Sequence, residues 1–383
     1  SNQVLEVTET AKTLWTWGRN SSGQLGDGTN TDRSTPTQIG SATTWTAITS
    51  DDGNTVALKS DGTLWASGRN SYGQIGDGTT DNKNTFTQES TGATNWIAID
   101  AGNNNTVALK SDGTLWAWGH NHKGQLGDGT NTDRNTPTQE ATGSTNWTAI
   151  SGSGYNTVAL KSDGTLWAWG HNYCSQLGDG TNTDRSTPTQ ESTGATNWTN
   201  ITGGGYDTVA LKSDGTLWAW GHNYCSQLGD GTTSDRNTPT QESTGAADWT
   251  AISGSTDFTV ALKSDGTLWA WGCNSLGQLG DGTNTDRTTP TQEATGSTNW
   301  SKIAAGSNHT VGLKSDGTLW SWGGNNEGEI GDGTSTSRST PTQESTGATD
   351  WYAIAARTGT VALKWGGSLS FTEVGGSLDV QEP

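Results

Sequence analysis

Methionine is absent from the 383-residue sequence, cysteine occurs three times and histidine five times. So few cysteines, in an odd number, do not predict the disulfide framework of a small secreted domain. Cys174 and Cys225 occupy equivalent points of an internal repeat, and we expect both to be free thiols. No apolar run approaches 18 residues, so the sequence predicts no insertion into a membrane.

Positive charge is also scarce, with 20 Lys and Arg against 39 Asp and Glu and a net charge of −19. Nucleic-acid affinity rests mainly on Lys and Arg side chains that neutralise phosphates, so this balance argues against a nucleic-acid partner. An acidic, lysine-poor composition favours solubility. It favours an extracellular or cell-surface bacterial location, whereas free cysteines favour a reducing compartment.

Glycine and tryptophan are abundant instead, with 55 and 21 copies, and both follow an internal repeat. The tripeptide Gly-Asp-Gly occurs seven times, with a first step of 50 residues and later steps of 51. One tryptophan of each copy keeps a period of 51: Trp45, Trp96, Trp147, Trp198, Trp249, Trp300 and Trp351. A regular period of this length predicts a repeat architecture.

The unit that starts at Trp147 reads WTAISGSGYNTVALKSDGTLWAWGHNYCSQLGDGTNTDRSTPTQESTGATN. TVALK and TLWAW are rich in β-formers and joined by Ser-Asp-Gly, which predicts a hairpin. WTAI and TPTQE supply two more strands, and no segment has the apolar period of a helix. Seven such units predict an all-β fold, a seven-bladed β-propeller with four antiparallel strands per blade.

The two ends of the repeat region predict how the ring closes. The region begins with TLWTWG, the second half of a hairpin, and ends with TVALK, the first half of one. Pairing of these strands would close the ring within one blade and cover its exposed edges. We therefore predict a propeller over residues 13–364, an N-terminal extension over 1–12 and a C-terminal extension over 365–383.

The motif WG-x-N-x-x-GQLGDGT followed by Pro-Thr, clearest from Trp118 onward, resembles the regulator of chromosome condensation repeat family. The resemblance covers all seven repeats and implies a seven-bladed propeller used for binding diverse partners. The tandem Gly-Asp-Gly-Thr form resembles bacterial members of the family more than eukaryotic ones.

Two functions known in this family are not expected here. The nucleotide-exchange members use a basic tail and an inserted wedge, and this sequence has neither. The photoreceptor members carry Gly-Trp-Arg-His-Thr where this sequence has Gly-Ser-Asn-His-Thr at 306–310. The many tryptophans are therefore predicted to pack between blades.

Two short windows vary between the otherwise uniform repeats. The first precedes TVALK and the second follows TLWAWG. Because these strands form an antiparallel hairpin, both windows should lie on one face of the disc, opposite the Ser-Asp-Gly turns. Loops on a rigid scaffold often carry binding residues, so we expect the function on this variable face. Drift of solvent-exposed loops is the alternative interpretation.

If WTAI is the innermost strand, the first window rings the mouth of the central channel. We then predict ligand-binding residues around one shallow basin: Asn54, Asn105, Tyr155, Asn156, Tyr206, Asp207, Phe258 and His309. The second window adds His120, His171, His222, Tyr173 and Tyr224. This mixture of aromatic and amide side chains suits a sugar or a peptide.

The sequence predicts no metal site, no cofactor and no catalytic residues. His120, His171, His222 and Cys273 are suitable ligand types, but neighbouring blades would hold them about 15 Å apart. His120 and His122 in one blade make only two ligands. The Asp128–Asp133 loop lacks the closing Glu of a calcium loop, and we expect its aspartates to bond loop amides.

We therefore predict a non-enzymatic binding scaffold, a monomeric propeller that recognises a protein, peptide or glycan through the variable face. The alternative is a structural or surface-display module of a larger bacterial protein, which the exposed Thr, Asn and Ser residues favour.

Overall fold

Seven four-stranded antiparallel sheets form a ring in the computed structural model, which describes residues 11–366. The predicted fold class is confirmed, and no helix occurs among these residues. Consequently none of them form a helix long and apolar enough to cross a membrane. The parts of the predicted extensions at 1–10 and 367–383 lie outside the described residues.

Each blade runs from an inner strand at the ring axis to an outer strand at the rim. Blade I comprises β3 Trp45–Ser50, β4 Asn54–Lys59, β5 Leu64–Gly68 and β6 Lys83–Gln88. Blade II comprises β7 Trp96–Gly102, β8 Asn105–Lys110, β9 Leu115–Gly119 and β10 Arg134–Gln139. Blade III comprises β11 Trp147–Gly152, β12 Asn156–Lys161, β13 Leu166–Gly170 and β14 Arg185–Gln190. Blade IV comprises β15 Trp198–Gly203, β16 Asp207–Lys212, β17 Leu217–Gly221 and β18 Arg236–Gln241.

The remaining blades follow the same order from axis to rim. Blade V comprises β19 Trp249–Gly254, β20 Phe258–Lys263, β21 Leu268–Gly272 and β22 Arg287–Gln292. Blade VI comprises β23 Trp300–Ala305, β24 His309–Lys314, β25 Leu319–Gly323 and β26 Arg338–Gln343. Blade VII comprises β27 Trp351–Ala356, β28 Gly359–Trp365, β1 Lys12–Gly18 and β2 Arg33–Gln38.

Blade VII closes the ring with strands from both ends of the described chain. β1 pairs with β28 in antiparallel register from Lys12↔Trp365 to Gly18↔Gly359. The Gly366 N–H also donates to the Ala11 carbonyl at 2.7 Å. The predicted closure is confirmed, and it leaves each inner strand packed beside the inner strands of its two neighbours.

The hydrophobic core lies between blades, and each of the seven interfaces has one apolar cluster. At the blade I–II interface, Trp118 is fully buried and its ring centroid lies 5.8 Å from that of Trp96. Its indole Nε1 donates to the Gln74 carbonyl of blade I at 3.0 Å. A buried tryptophan needs a partner for its N–H, so one side chain fills the interface and bonds two blades together.

Blade I departs from this pattern, because Ser67 stands where the other blades have the buried tryptophan. The Phe86 ring fills the vacated space: it covers Gly26 as Trp118 covers Gly76 in the next repeat. It also packs 5.4 Å from the Trp45 ring. Ser67 Oγ donates to the Gln24 carbonyl at 3.3 Å. Two residues thus replace the packing and the hydrogen bond of one tryptophan.

Candidate binding face

The two variable windows lie side by side on one face, as the antiparallel hairpin predicts. In blade III, the His171 N–H donates to the Tyr155 carbonyl at 2.9 Å, and the two rings lie 6.2 Å apart. The same backbone bond joins His120 to Asn104 and His222 to Tyr206. The first window is the inner of the two, next to the channel.

A buried asparagine organises the loop between the third and outer strands of each blade. In blade II, Asn121 Nδ2 donates to Asp128 Oδ1 at 3.2 Å, and Asn121 Oδ1 accepts from the Leu126 N–H at 3.0 Å. Asp128 Oδ1 also accepts from the Thr130 N–H, and Asp128 Oδ2 pairs with Arg134 at 2.7 Å. Burial opposes ionisation, but these hydrogen bonds outweigh it and lower the pKa of Asp128. The expected turn-making role of this aspartate is confirmed.

Six of the eight residues predicted to line an open basin are buried instead. They begin the second strand of their blades, and each is at most 1% exposed: Asn54, Asn105, Asn156, Asp207, Phe258 and His309. They therefore do not line an open basin in this structure, and their contact with a ligand stays a prediction. The reason is strand geometry: the residue at the loop apex faces outward, and the next turns into the blade. Only Tyr155 and Tyr206, at loop apices, are partly exposed.

Arg357 covers the mouth of the central channel on this face. Its guanidinium donates to Asn103 Oδ1 at 2.9 Å and lies 3.4 Å from Asp52 Oδ1, so it joins blade VII to blades I and II. Beneath it, the ends of the inner strands line an open cavity of about 210 Å³. Arg357 was not among the predicted functional residues, although no other copy of the first window contains Arg or Lys.

The second window forms contacts between neighbouring blades. The window consists of the residue that follows the third strand and the residues two and three positions later, which are Arg69, Ser71 and Tyr72 in blade I. The last of these meets the first residue of the window in the next blade, and the residue types match in pairs. The Tyr72 and His120 rings lie 4.5 Å apart, and Glu327 pairs with Arg19 at 3.8 Å. Part of the variability in this window thus reflects matched packing across blade boundaries and not ligand recognition.

The same geometry joins Cys225 of blade IV to Cys273 of blade V in a disulfide, with their Cα atoms 5.1 Å apart. The prediction that Cys225 is a free thiol is therefore wrong. The prediction compared equivalent positions of two repeats, whereas the disulfide joins unlike positions that meet at a boundary. Cys174 is free and partly buried, and burial raises the pKa of its thiol.

Aromatic rings of both windows form one continuous arc over blades I to IV, which we call the aromatic arc. Each ring in the arc has the next within 6.4 Å: Tyr72, His120, Tyr155, His171, Tyr206 and His222. Tyr173 and Tyr224 stack on the outer side of His171 and His222, and they are 76% and 79% exposed. The structure thus brings Tyr155, Tyr206 and the five predicted residues of the second window together.

Blade II holds three potential metal ligands together: His120, His122 and Asp133 each offer an atom within 4.8 Å of the others. His122 Nε2 lies 3.7 Å from Asp133 Oδ2. His120 is nearly buried, and this burial lowers its pKa. Only two of these ligands were predicted together, because Asp133 lies in a later part of the loop, which folds back beside His122.

Asp207 is fully buried, and neither of its carboxyl oxygens has a hydrogen-bond partner. Burial and the nearby Asp257 raise its pKa well above the usual value. The unfolded chain loses this proton near pH 4 while the folded chain keeps it, so the free energy of unfolding should fall as pH rises from there.

The Asp207→Asn variant should remove this pH dependence, since Asn is the natural residue at the equivalent positions of blades I to III. Its advantage in unfolding free energy over the unmodified protein should be smallest at pH 4 and grow towards pH 8. Urea unfolding at several pH values measures this difference. The reciprocal Asn156→Asp variant should acquire the dependence, and parallel curves for all three proteins would refute the assignment.

Comparison with known proteins agrees with this architecture. The sequence pattern of the RCC1-like domain matches residues 2–295, and that of the regulator of chromosome condensation (RCC1) repeat matches 300–329 and 316–356. The chain is 30% identical over 333 residues to the ultraviolet-B receptor UVR8 of Arabidopsis thaliana, covering 85% of this chain and 76% of that protein. It is 28% identical over 244 residues to the human E3 ubiquitin-protein ligase HERC2, covering 62% of this chain and 5% of that protein.

A solved structure of Prp20p from Saccharomyces cerevisiae superposes with a TM-score of 0.82 at 20% identity, covering 94% of this chain and 92% of that one. At this identity the likeness shows the fold alone. These three proteins are eukaryotic, and the resemblance to bacterial members stays a prediction. The extent of the matching sequence pattern and the identity to UVR8 show that the chain belongs to the RCC1-like domain family.

Proposed function

We propose that the protein is a non-enzymatic binding scaffold whose partner, a protein with a basic segment, docks on the aromatic arc. The observation that carries this proposal is the asymmetry of the variable face. The second window of blades II to IV carries ring side chains in its first two positions, whereas blades V to VII have Cys273, Gly324 and Arg19 in the first. A structural role alone would not require one side of a sevenfold ring to differ.

Exposed tyrosines support a docking role for the arc. Tyr173 and Tyr224 occupy equivalent positions in adjacent blades, and both have most of their surface in solvent. Each tyrosine ring stacks on a histidine ring that is hydrogen-bonded to a glutamine. In blade III, His171 Nδ1 lies 2.9 Å from Gln176 Nε2. Rigid, amphipathic rings that need no reordering are typical of residues that dominate binding energy.

Charge favours a basic partner. The protein has a net charge of −19, and carboxylates lie beside the histidines of the arc: Asp133 near His120, and Asp184, which also pairs with Lys123 at 3.2 Å, near His171. Arg or Lys side chains of a partner can stack on tyrosine faces and pair with these carboxylates. The structure of Prp20p was described with that protein's binding to Gsp1p and histones, so this fold does serve protein recognition in a relative.

Binding should be lost when the two exposed tyrosines are replaced by serine, the residue at the same position of blades I, V and VII. We would probe peptide and glycan arrays with the unmodified protein and with the Tyr173→Ser/Tyr224→Ser variant. Basic peptides should bind the former, and the variant should bind them at least 30-fold more weakly, the order of a hot-spot loss.

Asn326→Ser changes the equivalent position of blade VI, away from the arc, and is the matched control that should keep full binding. Binding of the peptides should also weaken with rising salt, as charge complementarity requires. Selective binding to glycans, or equal peptide binding by the tyrosine variant, would contradict the proposed partner.

A further inference from the structure

We propose that His120, His122 and Asp133 form a site for a divalent transition-metal ion such as Zn²⁺. Two imidazoles and one carboxylate are a ligand set that Zn²⁺ and Co²⁺ accept, with water completing the coordination. The site shares His120 with the aromatic arc and uses Asp133 beside it, but metal binding is measured on the protein alone and does not depend on the proposed protein partner.

The three side chains are close to a binding geometry. Ligand atoms around a tetrahedral zinc lie roughly 3.3 Å from one another, given zinc–ligand distances of about 2.0–2.1 Å. The largest separation here is within 4.8 Å, so the cluster must contract by about 1.5 Å. The His122 side chain is 65% exposed and has room to rotate towards the other two.

The loop that carries the ligands is already fixed. Asp133 Oδ1 accepts from the Asn121 N–H at 2.7 Å, which orients the carboxylate and leaves Oδ2 turned towards His122. Asn131 Nδ2 donates to the His122 carbonyl at 3.3 Å. A site whose backbone is set before binding loses little entropy when the ion arrives.

Gln125 determines which nitrogen of His120 carries the ring proton. Gln125 Oε1 accepts from the Lys123 N–H at 3.0 Å, so its amide nitrogen faces His120 Nδ1 at 2.9 Å. Metal binding through His120 Nε2 moves the ring proton to Nδ1, which then needs an acceptor. Rotation of the Gln125 amide supplies that acceptor and gives up the bond to Lys123.

The site occurs once in the ring. Blades III and IV keep the histidine and the aspartate but have Tyr173 and Tyr224 in place of His122. Blade VI has Ser337 in place of Asp133. Other blades therefore show that the fold accepts Tyr at the position of His122 and Ser at the position of Asp133.

Binding can be measured with Co²⁺ by visible absorption and with Zn²⁺ by calorimetry on the metal-free full chain. We expect one ion per chain, with no thiolate-to-cobalt charge-transfer band, because no cysteine belongs to the site. His122→Tyr and Asp133→Ser should each abolish binding. Asp286→Ser, the same change in blade V, should leave it intact.

A fourth variant tests the role of Gln125. Glu329 occupies this position in blade VI and accepts the equivalent backbone N–H at 2.9 Å, so Gln125→Glu fits the loop. Its second oxygen can accept from His120 Nδ1–H, and we expect ion affinity to rise about tenfold. No ion bound by the unmodified chain at millimolar Co²⁺, or binding that persists in both ligand variants, would overturn the proposal.

Discussion

Replacing Trp169 with serine should lower the free energy of unfolding by about 3–5 kcal/mol, the range for truncating a large buried aromatic side chain. Trp169 is fully buried between blades II and III, and its Nε1 donates to the Gln125 carbonyl at 3.0 Å. The serine hydroxyl is positioned to keep this hydrogen bond, as Ser67 does in blade I. The loss should therefore come mainly from the cavity.

The Pro188→Phe change should recover much of that loss when it is combined with Trp169→Ser. Pro188 stands at the position of Phe86, whose ring fills the corresponding space in blade I. Alone, Pro188→Phe should destabilise the protein by about 1–3 kcal/mol, because the tryptophan already occupies the site. A double-mutant cycle from urea unfolding separates the coupling from the single effects. Additive effects would show that the two positions do not exchange roles.

Removing the Cys225–Cys273 disulfide should cost about 2–4 kcal/mol of unfolding free energy, since the cross-link restricts a long loop of the unfolded chain. A Cys225→Ser/Cys273→Ser variant and the unmodified protein in reductant should show the same lowered urea midpoint. Both changes act at one blade boundary, so the remaining six interfaces are unaltered.

Cys174→Ser is the control for the disulfide, because Cys174 is free and occupies the same window position as Cys225. It should leave the midpoint unchanged with and without reductant. An unmodified protein whose midpoint does not respond to reductant, while free thiols are titrated at three per chain, would contradict the disulfide.

The fold was predictable because the same strand and turn signals recur in every repeat of the sequence. The 51-residue period, the Ser-Asp-Gly hairpins and the split unit at the two ends led directly to seven blades and to closure by β1 and β28. In blade I, Phe86 replaces the buried tryptophan that is equivalent to Trp169, and this replacement was not predictable. It depends on two positions of blade I, 19 residues apart in sequence on neighbouring strands, that together fill one space at the boundary with blade VII, which comparison of equivalent positions does not reveal.

The site was predicted only in part, for the same reason. Comparing copies placed both windows on one face and included every residue of the aromatic arc except Tyr72. It did not show that the first residue of each second strand turns inward, so Asn105 and its equivalents were counted as exposed. It also missed contacts between unlike positions, such as Arg357 with Asn103 and His122 with Asp133.

The closing blade determines how the ring would respond to tension. Residues 11 and 366 lie beside each other, and the β1–β28 ladder starts there with Lys12↔Trp365. A stretching force applied through the two flanking segments would unzip this ladder one residue pair at a time, so few hydrogen bonds would share the load at any moment. The six blades built from continuous chain would carry no load until β1 had separated from β28. Blade VII would therefore unfold first under tension.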